Sequence, residues 1–261
     1  MKTKGVLRED EMIFFLNNKK VKELSPNLYT MLQTLYGVLD PEWMIYCENA
    51  ADLTKPDFVI TVNGKAKYVS MKSNNTETVH SEHISAFISY LRSLSVSNES
   101  LKTILLYFYG DGTLDGSGKE RMPCEALAPW LGERLDKCNE ELNSDELLRK
   151  LIDRFIFQGV DENVHPADAI YVGDYHYGTV ATKSQIWKRF SRNDCRWRHY
   201  HNLHVGPFFL KPAARYSGKE IRSVERRNTL RVQWPDLRSD IEYIAKRFDS
   251  YTPMRHRTYE E

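Results

Sequence analysis

The stretch KPDFVITVNGKAKYVSMKSN, residues 55–74, holds an aspartate, a serine and a lysine at spacings that a folded chain can bring together. Asn63-Gly64 between two alternating runs is the strongest short-range signal for a two-residue β-hairpin. The pairing of Val62 with Lys65 that such a turn requires sets Asp57 opposite Ser70. Cross-strand partners share a face, with Cβ atoms about 4.5–5.5 Å apart. Residues two apart on one strand share a face as well, so Lys72 joins Asp57 and Ser70. Phe58, Ile60, Val69 and Met71 take the opposite, apolar face. A carboxylate holds a hard divalent cation through oxygen. Such a cation lowers the pKa of bound water and stabilises charge on a phosphate under attack, and a neighbouring ammonium steadies the charge that develops. The cluster suits phosphodiester hydrolysis, and a surface hairpin with an ordinary Asp–Lys pair is the plain alternative.

These residues need elements to position them. Residues 8–36 read as helices: DEMIFFLNN, then SPNLYTMLQTLYG, where Ser25-Pro26 supplies an N-cap with proline at the first helical position and Gly37 a stop. VITV and KYVSM read as strands. HISAFISYLRSL reads as a helix, because Ile84, Phe87, Ile88 and Leu91 repeat at i, i+3, i+4, i+7. KTILLYFYG reads as a buried strand by its β-branched and aromatic content. DGTLDG is a loop leading into an acidic helical stretch that ends near Gly159. ADAIYVGD, LHVGPFFL and TLRVQW read as strands, TKSQIWKRFSR as a helix, and Pro235 opens a last helix with Leu237, Ile241, Ile244 and Phe248 on one face. The expectation is one α/β domain over residues 1–261, a mixed sheet flanked by helices. It divides into N-terminal helices (1–45), a core with the hairpin (46–110), a helical insertion (116–160) and a C-terminal part with a basic surface (161–261).

KPDFVITVNGKAKYVSMK resembles the core of the PD-(D/E)xK nuclease superfamily, the restriction-endonuclease-like fold, whose pattern is Pro-Asp on one strand and acid-x-Lys on the next. Pro56-Asp57 and Lys72 match it, and Glu48 stands where that family's N-terminal helix often carries a glutamate. The resemblance covers roughly residues 45–92. At the position of the second acid this chain has Ser70, a poor metal ligand. A subgroup of restriction enzymes is similar, with Ser-x-Lys and a glutamate taken from the following helix. SNNTETVHSEHI offers Glu77 and Glu82 for that role. Spacing in the subgroup favours Glu82, with Ser81 as N-cap, while the helical wheel favours Glu77, so the choice stays open. The resemblance implies a Mg²⁺-dependent endonuclease acting on double-stranded DNA, in a restriction or defence setting, with Mn²⁺ as a substitute. Asp57, the main-chain carbonyl of Met71 and Glu82 would hold metal, Lys72 would assist the nucleophile, and Ser70 would support them. A homodimer is compatible with it. The rival reading is a catalytically inactive nucleic-acid-binding module on a nuclease fold.

Charge distribution points the same way. The 261 residues carry a formal net charge of only +1, with 41% hydrophobic and 28% charged residues, ordinary for a globular protein. Between Asp111 and Asp153 there are 11 acidic and 6 basic residues, whereas Lys183–Arg257 holds 18 basic and 7 acidic. Such asymmetry suggests a polyanion facing the C-terminal third. KSQIWKRFSRNDCRWRHYH interleaves Lys188, Arg189, Arg192, Arg196 and Arg198 with aromatics, a composition suited to phosphates and bases. Arg222, Arg226, Arg227 and Arg231 repeat the style. Asn74, Asn75 and His80, beside the hairpin, are further candidates for touching nucleic acid. HYHNLH (His199, His201, His204) lacks a carboxylate partner for zinc. Cys47, Cys124, Cys138 and Cys195 form no CxxC pair and read as free thiols of a reducing compartment. MIFFL is too short for a membrane span, so a cytoplasmic protein that does not engage a membrane is expected.

Overall fold

A computed structural model describes residues 4–50, 55–118, 121–191, 202–213 and 227–247. In chain order the elements are α1 (Lys4–Leu16), β1 (Lys19–Lys20), α2 (Pro26–Tyr36), β2 (Met44–Asn49), β3 (Phe58–Val62), β4 (Lys65–Lys72), β5 (Thr78–His83), α3 (Ile84–Ser93), α4 (Asn98–Tyr109), α5 (Cys124–Leu131), α6 (Glu133–Leu142) and α7 (Asp145–Ile152). A π-helical turn, Asp153–Gln158, extends α7. It is followed by β6 (Ala169–Gly173), β7 (Gly178–Thr182), α8 (Lys183–Phe190), β8 (His204–Val205), β9 (Phe208–Pro212), β10 (Thr229–Gln233) and α9 (Leu237–Arg247). The chain is mixed α/β and forms two compact units, each with its own sheet, where a single mixed sheet was expected.

The first unit comprises residues 1–74, 166–189 and 238–261. Its six-stranded sheet runs β1-β2-β3-β4-β6-β7, antiparallel except for the parallel β4–β6 pair. Asn63 and Gly64 both have positive φ, 48° and 71°, as a type I′ turn demands. The register that follows is the one expected, Val62 with Lys65 through Phe58 with Val69. Ile45, Cys47, Phe58, Ile60, Val62, Val69 and Met71 thus line one face, buried with Met12 and Leu16 of α1 and Leu28, Met31 and Leu32 of α2. Ser25 caps α2 by accepting from the Leu28 amide at 3.4 Å, and Gly37 ends it. Asp168 ties β6 to β4 by accepting from the Tyr68 amide at 2.9 Å.

The second unit, residues 75–165 and 190–237, holds a four-stranded antiparallel sheet in the order β5-β10-β9-β8. Phe87, Phe155, Phe208 and Trp234 are fully buried there. The expected helical insertion, 116–160, lies in this unit. Three expectations change. KTILLYFYG is helix, because Ser97 caps α4 and Leu101, Ile104 and Phe108 bury one face at helical spacing until Gly110 ends it in the left-handed region. Residues 78–83 are strand, so Ser81 caps nothing; His83 is the N-cap of α3, accepting from the Ser85 amide at 3.2 Å. LHVGPFFL is a hairpin, β8–β9, turning at Gly206-Pro207. No helix among the described residues is long and apolar enough to cross a membrane.

The helical assignment of residues 98–109 is testable. Ser97→Ala removes the cap and should cost about 1 kcal/mol, read as a lower urea midpoint at unchanged m-value. An unchanged midpoint would contradict the cap.

Candidate functional site at the end of the hairpin

Asp57 stands one residue before β3, its amide donating to the Val69 carbonyl at 2.9 Å and its carbonyl accepting from the Ala50 amide at 3.2 Å. Its carboxylate takes the place of a strand partner: Oδ2 accepts from the Met71 amide at 2.5 Å, from Ser70 Oγ at 3.2 Å and from Lys72 Nζ at 3.5 Å. An amide of β4 points along the sheet, so bonding to it holds the carboxylate at the end of the sheet. All three donors converge on Oδ2, and among the described residues none meets Oδ1. Lys72 Nζ also donates to the Met71 carbonyl at 2.9 Å. Asp57 and Lys72 are about one-fifth exposed while Ser70 is buried. The expected Asp57, Ser70, Met71 and Lys72 therefore meet.

A residue not anticipated feels their charges. Glu9 of α1 is half-buried, and burial raises its carboxyl above the usual range; the negative charge of Asp57 raises it further, with Lys72 opposing. A carboxyl raised by burial and by a neighbouring negative charge is a candidate functional group. The signal was present in the sequence. Glu9, Met12 and Leu16 follow i, i+3, i+7, which puts an acid on the stripe that otherwise buries apolar groups.

Other candidates fall elsewhere. Glu48 lies on β2, an exposed strand position, and not on a helix; it pairs with Val59 and so shares the face of Asp57 two residues away. Glu82 is corrected more thoroughly. It sits in β5 with its side chain fully enclosed, and Arg154 of the π-helical turn grips it with two bonds, Nε to Oε1 at 3.0 Å and Nη2 to Oε2 at 2.6 Å. His80 Nε2 meets Oε1 at 3.0 Å, so His80 is a buried partner of Glu82 and is not exposed to meet a phosphate. The Arg154 guanidinium also lies over the Tyr90 ring, 4.1 Å from its centre. Burial alone would push the Glu82 carboxyl up, but the bonds from His80 and Arg154 outweigh it and hold it below the usual range. Glu77, the other helix candidate, is exposed ahead of β5, its carbonyl accepting from the Trp234 amide.

No family model matches the chain, and no curated protein matches it. The site is therefore weighed on its chemistry. Among the described residues no group of three or more His, Cys, Asp or Glu is placed to hold a metal. The oxygen donors at the hairpin end are the Asp57 carboxylate and the Met71 carbonyl, and Glu9 of α1 feels the charge of Asp57. An all-oxygen set of one or two carboxylates, with waters and substrate phosphates completing the shell, is what Mg²⁺ takes.

Lys188 is exposed on α8, and Arg189 lies over the Tyr243 ring of α9, 5.5 Å from its centre. Asn74 is half-buried and Asn75 exposed. Arg192, Arg196 and Arg198, with Arg222, Arg226, Cys195, His199, His201 and Phe248, lie outside the described residues. Arg227 pairs with Asp111 at 3.6 Å. Burial pushes His204 down to about 4, leaving it neutral, and the Cys47 and Cys138 thiols, both free, up to about 12.

The Glu82–Arg154 pair should behave as structure. Glu82→Gln strands a buried guanidinium and should cost about 3–5 kcal/mol at neutral pH. A carboxyl held low in the folded state contributes stability above its unfolded pKa of about 4.3 and loses it as pH falls through the folded value, because the unfolded chain takes the proton first. The deficit of the variant should therefore shrink in acid denaturation below about pH 4. A variant as stable as wild type at neutral pH would return Glu82 to the set of candidate ligands.

Proposed function

We propose that the chain is a metal-dependent endonuclease that hydrolyses phosphodiester bonds in DNA, of the PD-(D/E)xK kind. The observation that supports this most is the meeting of Asp57, Ser70 and Lys72 at one sheet end, with three donors on a single carboxylate oxygen; the charges of Asp57 and Lys72 also reach Glu9 of α1. Glu9, Asp57 and the Met71 carbonyl would hold Mg²⁺, with Mn²⁺ as substitute. When bound, the ion would supply a lowered pKa for water and neutralisation of charge on the phosphate. Lys72 places its ammonium against the attacked phosphate and the incoming nucleophile, where a fixed charge is worth most to the transition state. Ser70 orients Asp57 as a hydrogen-bond donor and is not a ligand. In this reading the acid missing from the strand comes from the helix before the hairpin, Glu9, and not from Glu82 after it. The basic residues of α8 and the segment beyond it would hold the phosphate backbone.

Nicking of supercoiled plasmid with Mg²⁺, with Mn²⁺ and with chelator tests the reading. Asp57→Ala, Lys72→Ala and Glu9→Gln should each slow cleavage by about 100-fold or more, the cost of losing a well-placed charge at a reacting phosphate. Binding should stay within a few-fold. Glu9→Gln should melt no lower than wild type without metal, since it removes a repulsion. Metal-dependent cutting by purified Asp57→Ala or Lys72→Ala would remove the site. A wild type that binds DNA and never cuts under any metal would leave the binding module.

The polyanion face has its own measurement. Lys188→Glu with Arg189→Glu should weaken duplex binding and reduce the log–log salt slope by about 0.9 for each phosphate no longer neutralised. An unchanged slope would make α8 a solvated face.

A further inference from the structure

Beside Lys72 the sheet continues as a row. Lys72 pairs with Val172 of β6, and Val172 with Thr179 of β7. Paired residues share a face, and neighbouring strands lie about 5 Å apart, so this row leads sideways from the hairpin lysine. It ends in a cavity of about 490 Å³ in the same unit, with Val172 and Thr179 in its lining and Asn74, two residues beyond Lys72, at its side. Small-molecule sites fall between roughly 300 and 1,000 Å³. Arg238 and Glu242 of α9 line it too, paired at 2.9 Å through the arginine Nε, with 58% of the Arg238 side chain exposed.

The remaining wall is the start of α2, Ser25 to Asn27, and the end of the turn Gly173–Gly178, GDYHYG, on which His176 and Tyr177 are exposed. Asp174 Oδ1 accepts from the His176 and Tyr177 amides at 2.9 and 3.0 Å. The Tyr171 hydroxyl donates to the Asp174 carbonyl at 2.6 Å. Asn27, at the start of α2 and also in the lining, ties the turn by donating to the Tyr171 hydroxyl and accepting from the Gly178 amide. Tyr175 stacks on Phe15 at 3.9 Å, nearly parallel. A Cβ at Gly178 would fall inside the Tyr171 ring, and one at Gly173, whose φ is 146°, would strike the Tyr177 carbonyl. On this braced turn the Tyr177 ring is 78% exposed. Bracing the backbone beneath an exposed aromatic serves stacking, because the main chain that presents the ring is already ordered.

An exposed ring, amide side chains and an arginine around one cavity make the chemistry of a nucleotide: a π-face to stack, base edges to bond and a phosphate to neutralise. We propose that this pocket takes one nucleotide of the cleaved strand, within two nucleotides of the scissile phosphate, its base on Tyr177 and its phosphate near Arg238. The proposal rests on the nuclease reading for its position relative to the cut. In a duplex, that base would have to leave the stack.

An abasic scan tests it. End-labelled single-stranded oligonucleotides, each with one base removed at a successive position along the strand and spanning the cut where one is mapped, are titrated with the protein in chelator and followed by anisotropy. One position should weaken binding by about 10- to 100-fold, the range of a lost base–aromatic stack. Tyr177→Ala should weaken the intact strand as much and abolish the position dependence, Tyr177→Phe should keep it, and Arg238→Ala should lower the salt slope by about 0.7. Equal effects at every position, or effects of base loss and Tyr177→Ala that simply add, would overturn the proposal. So would a free nucleoside monophosphate that binds through Tyr177 when no strand does. If a single sensitive position appears but wild type never cuts, the nuclease reading fails while the pocket stands as a strand-binding site.

Discussion

A turn of two residues, Asn63 and Gly64, decides which side chains can act together in the first unit. The side-chain period of a strand is two, so a slip of one residue would carry Phe58, Ile60, Val69 and Met71 out of the core and scatter the polar set. Both turn residues adopt positive φ, which Asn and Gly tolerate and most residues do not. With register held, the apolar face packs on α1 and α2, and Ser70 and Lys72 leave β4 beside Asp57. The polar cluster and the core of this unit are two faces of one pairing.

Carboxylates in the two units meet opposite fates. Glu82 is enclosed with a guanidinium on both of its oxygens and a histidine on one, so its charge is satisfied within the fold. Glu9 and Asp57 are left partly exposed, and the charge of Asp57 raises the cost of ionising Glu9, with Lys72 opposing. A buried acid bonded on both oxygens specifies packing, whereas Asp57 is bonded on one oxygen and keeps about one-fifth of its side chain exposed. This difference, more than position in the chain, separates the residue that resembles a ligand by spacing from the one that keeps its charge available.

Local signals are legible where they do not depend on tertiary partners. The hairpin register, the Ser25-Pro26 cap and the strands AIYVG and TLRVQ follow from turn chemistry and period, and the structure has them. KTILLYFY reads as strand because Ile104, Leu105, Leu106, Tyr107, Phe108 and Tyr109 form an unbroken apolar run, which a strand buried on both faces also shows. The residue that settles it as helix, the Ser97 cap, precedes that run by several positions. Thr78–His83 carries no apolar alternation, since its inward positions include His80 and Glu82, and a polar pair satisfied by a distant arginine cannot be recognised without the fold. Glu9 is obscure for a related reason. An acid on an apolar stripe looks like noise until the strand end it faces is in place.

Ser70 now has a physical account. A carboxylate at this position would lie about 5 Å from Asp57 and add a third negative charge next to Glu9, with only Lys72 to offset it. Serine supplies a donor in its place, which steadies Asp57 Oδ2 and leaves Oδ1 without a donor among the described residues. Under the proposed function the cost is one fewer protein ligand, so a bound cation must draw more of its shell from water and from the substrate phosphate. Metal and nucleic acid would then bind as a coupled pair, each raising the affinity of the other by the same factor. A site of this design holds its ion loosely until a strand arrives, and the row from Lys72 to Thr179 runs sideways along the sheet from the point where the scissile phosphate would have to lie.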